Sequence, residues 1–317
     1  MRNERAGHTM NPTQKTTISY VADVCLPIAL YYVVSNFALY GLNLLVQYAA
    51  QHLIADGAAW VVRHASALQV ADNAAAMCIG FFCVRRAFLA ETAAGGEPLL
   101  AAPRRIAAAW IRDGAGKRKK DWLWYFPLLI SGTCAALALN FLAGFLQAAS
   151  RDAAYTQVAR TQYAVPVWLG LIAYGVVSPI VEEGVFRGIL YLKCRRYLGR
   201  RLLAALLSAL LFGILHGNVV QGVYGFLMGL MIVWFYERYD SFLAPVLVHA
   251  ASNISVFLLS VIGTSSAGGG LGAGNSPVSG GGFSGEGFAD TGAAFLCCAI
   301  CAAISIFSAF IIAKKKK

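Results

Sequence analysis

The stretch SPIVEEGVFRG, residues 178–188, carries three charged side chains inside a long apolar region. Apolar residues flank it for more than one helical turn on each side, and its centre holds Glu182, Glu183 and Arg187. A charge at bilayer depth costs several kcal/mol, so ordinary membrane-spanning helices avoid such residues. A chain that keeps two carboxylates and a guanidinium there must use them.

The composition predicts a polytopic membrane protein of all-α fold class, a bundle of transmembrane helices. Of its 317 residues, 58% are hydrophobic and 13% are charged, whereas a soluble globular domain carries about 25% charged residues. The mean hydropathy is +0.62. Apolar runs of about twenty residues predict about eight helices, near residues 20–47, 66–84, 124–148, 165–192, 202–217, 219–236, 242–262 and 291–313. The fifth is short for a full crossing, which leaves a tilted or partly re-entrant segment as alternatives.

Lys and Arg alternate between the connections of these helices. They are dense in the N-terminal tail, at 85–120, at 193–201 and in the C-terminal KKKK, whereas the first, third and seventh connections hold only Arg63, Arg151 and Arg160. This alternation predicts eight crossings with both termini in the cytoplasm. The net charge of +11 then reflects topology and contact with anionic lipid. Nucleic-acid binding is not needed, and the predicted location is the cell (plasma) membrane.

The charges of the opening stretch divide into a pair and a single carboxylate. Glu183 and Arg187 are four residues apart and share one helical face, so each can neutralise the other. Glu182 faces another direction and is expected to have no local partner. A structural ion network that ties helices together is the alternative to a functional site.

Two further stretches bring histidines to the same membrane layer. FGILH holds Phe212 and His216 four residues apart, and HAASN places His249 and Asn253 four apart on one helical face. At 1.5 Å per residue, Glu182 lies about 15 Å deep, His216 about 21 Å and the His249–Asn253 pair about 11–17 Å. A carboxylate, two imidazoles and an amide at similar depth predict a functional site.

Together, EEGVFR (Glu182 to Arg187), FGILH (Phe212 to His216) and HAASN (His249 to Asn253) resemble the motifs of the CPBP or Abi family. These are intramembrane endopeptidases related to the CAAX prenyl protease and to bacteriocin-processing or immunity proteins. The resemblance covers about residues 165–262. With the composition and the predicted spans, it divides the sequence into four regions: N-terminal helices with a basic cytoplasmic loop (1–160), a catalytic core (161–262), a Gly/Ser-rich extracytoplasmic loop (263–290), and a last helix with a Lys tail (291–317).

The resemblance implies hydrolysis of a peptide bond in a membrane-associated protein or hydrophobic peptide. Glu182 would be the general base, and His216 would hold and polarise the attacking water. His249 and Asn253 would donate hydrogen bonds to the oxyanion. The supporting residues would be Glu183, Arg187 and Phe212.

The requirement for a metal is open at this point. Glu182, His216 and His249 are a ligand set that zinc hydrolases use, with the fourth position open to water. Each helix supplies only one histidine, however, and His249 with Asn253 suits an oxyanion role better. Catalysis without a cofactor is therefore slightly favoured, with a divalent metal such as zinc as the alternative. The cysteines Cys297, Cys298 and Cys301 could form a metal or redox cluster, but packing between membrane helices explains them more simply.

Two other functions use the same residues. A non-proteolytic binding or immunity protein would hold a hydrophobic peptide in the cavity, yet binding alone does not require Glu182 beside hydrogen-bond donors. A transporter would relay protons through Glu and His, but it predicts helix-breaking pairs in two related halves. The sequence shows no such symmetry.

Overall fold

The computed structural model describes residues 17–92, 125–239, 241–266 and 299–307, and every regular element in these ranges is a helix. The all-α fold class is confirmed. We number the helices α1 (Thr17–Leu53), α2 (Gly57–Thr92), α3 (Phe126–Phe145), α4 (Ala153–Gln162), α5 (Val167–Leu198), α6 (Arg201–Ile214), α7 (Val219–Tyr239), α8 (Leu243–Ser266) and α9 (299–307). A single helical turn, Ala148–Arg151, precedes α4.

Six of these helices, α1, α2, α3, α5, α7 and α8, are long and apolar enough to cross a membrane. They correspond to six of the eight predicted spans. The last predicted span is described only over α9, where Ser305 donates a hydrogen bond to the backbone oxygen of Ser131 in α3 at 3.3 Å. Beyond the end of α8, the Gly/Ser-rich stretch lies outside the described residues. The side on which the termini lie, and the four-region division, stay predictions.

The fifth predicted span is corrected to a helix too short to cross. α6 has 14 residues, which at 1.5 Å per residue is about 21 Å, less than the hydrocarbon thickness of about 30 Å. It ends at Ile214, so His216 lies in the turn before α7 instead of inside a helix. A Cβ on Gly213 would lie 2.4 Å from the oxygen of Gly222, so this glycine lets α6 and α7 pack in direct backbone contact.

α5 is the central helix of the bundle. Its residues Val185, Ile189 and Tyr191 are fully buried and pack with α2, α7 and α8 in the largest hydrophobic cluster. The helix is not uniform, because π-helical stretches run over Ala173–Val177 and Phe186–Tyr191. π-helical segments are rare and often occur at functional sites, and these two enclose the turn that carries both glutamates.

The end of α5 that holds Lys193, Arg195 and Arg196 is fixed by ion pairs. The Lys193 ammonium contacts Asp23 of α1 at 2.8 Å and Glu91 of α2 at 3.4 Å. Glu237 of α7 accepts from Tyr191 at 2.8 Å and also pairs with Arg195. Residues that the sequence offered only as topology signals therefore also tie α5 to three neighbouring helices.

The helix α4 lies at the end of the bundle opposite to Lys193, and Asp152 fixes it there. One carboxylate oxygen accepts from the backbone N–H of Tyr155 at 3.0 Å, and the other accepts from Val220 at 3.1 Å. A single side chain thus caps the N-termini of α4 and α7. Because the second cap lies four residues after His216, Asp152 also fixes the turn that carries this histidine.

We expect Asp152→Ala to lower the unfolding temperature at pH 7 by an amount that shrinks in acid. The backbone N–H bonds from Tyr155 and Val220 lower the pKa of Asp152 below its ordinary value of 3.8. A depressed pKa contributes stability above pH 3.8 that is lost as the pH falls through the folded-state pKa. Thermal unfolding of both proteins at pH 7 and below pH 3.8 checks this. Arg160→Ala, on the exposed face of α4, is the control, and a difference independent of pH would contradict the prediction.

Candidate active site

The predicted site residues meet at one cavity of about 1080 Å³, which helices α1 to α8 all line. Its lining includes Glu182 from α5, Phe212 from α6, His216 from the following turn, and His249 and Asn253 from α8. The remaining two, Glu183 and Arg187, are fully buried behind this wall. The structure therefore brings five of the predicted residues to the wall of one cavity and places the other two behind it.

Glu183 and Arg187 form the expected pair inside the protein. Arg187 Nη1 donates to Glu183 Oε1 at 3.0 Å, and both side chains are fully buried. Arg187 Nη2 also donates to the backbone oxygen of Gly229 in α7 at 3.3 Å. The guanidinium carbon lies 4.5 Å from the centroid of the Phe212 ring, a cation–π distance. Arg187 therefore links α5 to α6 and α7.

Glu183 has a second role that the sequence did not reveal. The same oxygen, Oε1, lies 2.7 Å from His249 Nδ1. The opposite ring nitrogen, Nε2, lies 3.8 Å from Glu182 Oε2. Since the bond at Nδ1 fixes the orientation of the imidazole, Glu183 directs His249 Nε2 toward Glu182. Carboxylates and basic groups therefore alternate in the series of side-chain contacts that runs from Glu182 through His249 and Glu183 to Arg187.

Phe212 lies at the centre of this arrangement. Its ring is perpendicular to that of His216 at a centroid distance of 4.9 Å, and it meets the His249 ring at 5.7 Å and 81°. The Phe186 ring contacts it edge-on at 5.0 Å. Edge-to-face contacts at these distances are favourable. One buried ring therefore packs against both histidines and separates them. This contact gives a physical reason for a phenylalanine four residues before His216.

His216 is held by the end of α6. Its Nδ1 lies 2.7 Å from the backbone oxygen of Phe212, and Gly217 follows with a φ of +74° that turns the chain away. When Nδ1 donates to this carbonyl, a neutral ring keeps the Nε2 lone pair for another partner. His216 can therefore accept a hydrogen bond from a water in the cavity.

Asn253 is engaged with the irregular part of α5. In the π-helical stretch, the N–H of Ser178 bonds to the oxygen of Ala173, five residues earlier. The same pattern would pair residue 179 with Tyr174, but Pro179 has no N–H. The amide nitrogen of Asn253 donates to the Tyr174 oxygen at 3.2 Å instead. An amide has two N–H groups, so one remains for a substrate.

Glu182 has a local partner, contrary to the sequence expectation. The hydroxyl of Ser178 donates to Glu182 Oε1 at 2.6 Å. Ser178 precedes Glu182 by four residues, so the two share a helical face. The same spacing rule that identified Glu183 with Arg187 could have found this pair.

The described residues do not fit a three-ligand metal site. Among them, no three His, Cys, Asp or Glu side chains converge closely enough to bind one ion. His249 faces Glu183 with Nδ1 and Glu182 with Nε2, and His216 Nδ1 faces a backbone oxygen. Of the cysteines that the sequence offered for a cluster, Cys297 and Cys298 lie outside the described residues, and Cys301 contacts Cys134 of α3.

Comparison with known proteins agrees with this geometry. Residues 164–255 match the family model described as type II CAAX prenyl endopeptidase Rce1-like. This segment of the chain is Rce1-like. The Rce1-like segment contains all three motifs and every candidate site residue, and its similarity agrees with the resemblance to the CPBP or Abi family.

A curated relative matches over part of the chain. UPF0177 protein YbdI of Lactococcus lactis subsp. lactis (strain IL1403) is 30% identical over 98 residues, which is 31% of this chain. The match spans about half, 52%, of that relative's length. No solved structure matches this chain. The Rce1-like match and the six long apolar helices together indicate an integral membrane protein.

Proposed function

We propose that this protein is an intramembrane endopeptidase whose Glu182 activates water to cleave a membrane-associated or hydrophobic peptide. The observation that carries the proposal is the position of Glu182 Oε2, which lies 3.8 Å from His249 Nε2 in a large cavity that His216 also lines. A base, an oriented imidazole and room for a peptide are what hydrolysis requires.

The reaction follows from the contacts of each group. Glu182 Oε2 removes a proton from water as the water oxygen attacks the peptide carbonyl carbon. His216 Nε2 accepts a hydrogen bond from the second O–H of this water, which keeps its proton. The carbonyl oxygen becomes an oxyanion near His249 and Asn253. The tetrahedral intermediate collapses, the C–N bond breaks, and Glu182 returns its proton to the departing nitrogen. A carboxylic acid and an amine are released.

His249 can donate to the oxyanion in only one state. Its Nδ1–H is directed to Glu183, so Nε2 carries a proton only when the ring holds two. Glu182 and Glu183 lie on either side of the ring at 3.8 Å and 2.7 Å, and Arg187 adds a second positive charge. Two carboxylates then face two cations, which limits the cost of burying the set. A preorganised donor of this kind contributes a few kcal/mol in a dry site.

The proposed reaction uses no metal, since Glu182 and the two histidines have roles in it without one. We expect purified protein treated with 1,10-phenanthroline and then desalted to keep its activity, with less than one zinc per ten chains by mass spectrometry. The matched control is a zinc protease treated in the same way. Loss of activity that zinc restores would show that the side chains rearrange around an ion and would contradict the proposal.

The test of the function is a comparison of peptide termini in membranes. We expect cells that carry the wild-type protein to show new protein termini that are missing from cells with Glu182→Gln at matched expression. Fractionation tests whether the protein lies in the plasma membrane. Termini that vanish in the variant establish proteolysis and name the substrates. Identical termini with both proteins folded would favour the binding or immunity function.

A further inference from the structure

Ser178 lies outside the three sequence motifs but contacts the proposed base directly. Its Oγ donates to Glu182 Oε1 at 2.6 Å, the short distance typical of a hydroxyl bound to a carboxylate. The bond leaves Oε2 as the oxygen that faces His249 Nε2 at 3.8 Å. One oxygen of Glu182 is thus fixed, while the other points to the site of reaction.

The hydroxyl of Ser178 does not make the hydrogen bond that is usual for a serine in a helix. A serine inside a helix commonly donates to the carbonyl four residues earlier, which here is that of Tyr174. That oxygen already accepts the amide of Asn253, because Pro179 cannot supply the N–H that the π-helical pattern would bring to it. The Ser178 side chain donates forward to Glu182 instead. The proline, the π-helical stretch and Asn253 therefore act together on the orientation of Ser178.

We propose that Ser178 is a positioning residue that holds Oε1 of Glu182 and so presents Oε2 to the attacking water. This inference rests on the proposed function, in which Glu182 is the base. The flexible side chain of a glutamate has several rotamers, and a base displaced by about 1 Å can lose about a hundredfold in rate. The Ser178 hydroxyl reduces that freedom at the reacting group itself.

The kinetic test compares two serine-to-alanine variants. Ser178→Ala keeps a good helix former and should lower kcat about ten- to a hundredfold with KM unchanged, because the hydroxyl donates its proton to Glu182 and so has none to donate to substrate. Ser255→Ala is the control, since among the described residues Ser255 donates to the oxygen of Ser252 within α8 and its loss should leave kcat unchanged. The assay uses the peptide that the terminus comparison identifies.

A spectroscopic test does not depend on activity. The infrared band of Glu182 is the one that disappears in Glu182→Gln, and its frequency reports hydrogen bonding to the carboxyl group. We expect this band to shift in Ser178→Ala and to stay in place in Ser255→Ala, with equal thermal stability of both proteins.

The outcomes separate the two proposals. An unshifted band in Ser178→Ala overturns the inference, as does a shifted band with unchanged kcat, a raised KM at unchanged kcat, or an equal loss in Ser255→Ala. None of these results affects the role of Glu182. Full activity of Glu182→Gln would instead overturn the proposed function, whatever the band of Ser178→Ala shows.

Discussion

Replacement of Glu182 by Gln is expected to abolish peptide cleavage while the protein remains folded in the membrane. Glutamine fills the same space and can still accept the bond from Ser178, but it cannot remove a proton from water. Loss of a general base costs about 10²–10⁴-fold in rate. The measurement is the turnover of purified protein on its identified peptide, together with its thermal unfolding.

The matched control for this prediction is Glu237→Gln. Both carboxylate side chains are 20% exposed, but Glu237 lies among arginines at the end of the bundle, where it pairs with Arg195 and Arg201. We expect Glu237→Gln to retain turnover within a few fold of the wild type. Full activity of Glu182→Gln would remove the base assignment, and equal losses in both variants would show that the effect is not specific to the site.

The second large effect is expected for Arg187→Ala, which should reduce stability more than it alters chemistry. The change removes the bonds to Glu183 and to the Gly229 oxygen, together with the contact with the Phe212 ring. Glu183 then remains fully buried with only His249 to balance its charge. Removing one partner of a buried pair costs about 3–5 kcal/mol. Abundance in membranes and denaturant unfolding in detergent measure this loss.

Arg196→Ala provides the comparison for Arg187→Ala. Arg196 is 49% exposed and pairs with Glu91 at 2.8 Å, and an exposed cation contributes about 1 kcal/mol or less. Glu91 is largely buried but keeps Lys193 at 3.4 Å when Arg196 is removed. We therefore expect near wild-type abundance for this variant. If Arg187→Ala were as abundant and stable as the wild type yet inactive, Arg187 would act in the reaction and the supporting role would be wrong.

Helical spacing predicted the contacts that lie within one helix. The pair of Glu183 and Arg187 follows from residues four apart on one face, and the structure gives 3.0 Å between its atoms. The same rule also predicts the contact of Ser178 with Glu182, because Ser178 lies four residues before Glu182. The expectation that Glu182 lacks a local partner is wrong because it considered only the residues that follow. His216 was placed inside a helix because its apolar run continues, although Gly217 is a common signal for a helix end.

Contacts between helices could not be predicted from spacing. The bond of His249 to Glu183 depends on how α5 and α8 rotate about their axes, and spacing along each helix does not define that rotation. The bond of Asn253 to Tyr174 depends in addition on the π-helical stretch, which displaces the hydrogen-bond pattern by one residue. Pro179 was visible in the sequence, but its consequence appears only once the five-residue pattern before it is known.

The shortness of α6 has a consequence for the lipid around the protein. Its outer face is a row of exposed leucines, including Leu202, Leu206 and Leu210, on a helix of about 21 Å. A bilayer core of about 30 Å must become thinner along this face, at a cost of a fraction of a kcal/mol for each ångström of hydrophobic mismatch. The helix that sets the depth of His216 therefore also favours membranes with shorter acyl chains. Activity reconstituted in vesicles of graded chain length should record that preference.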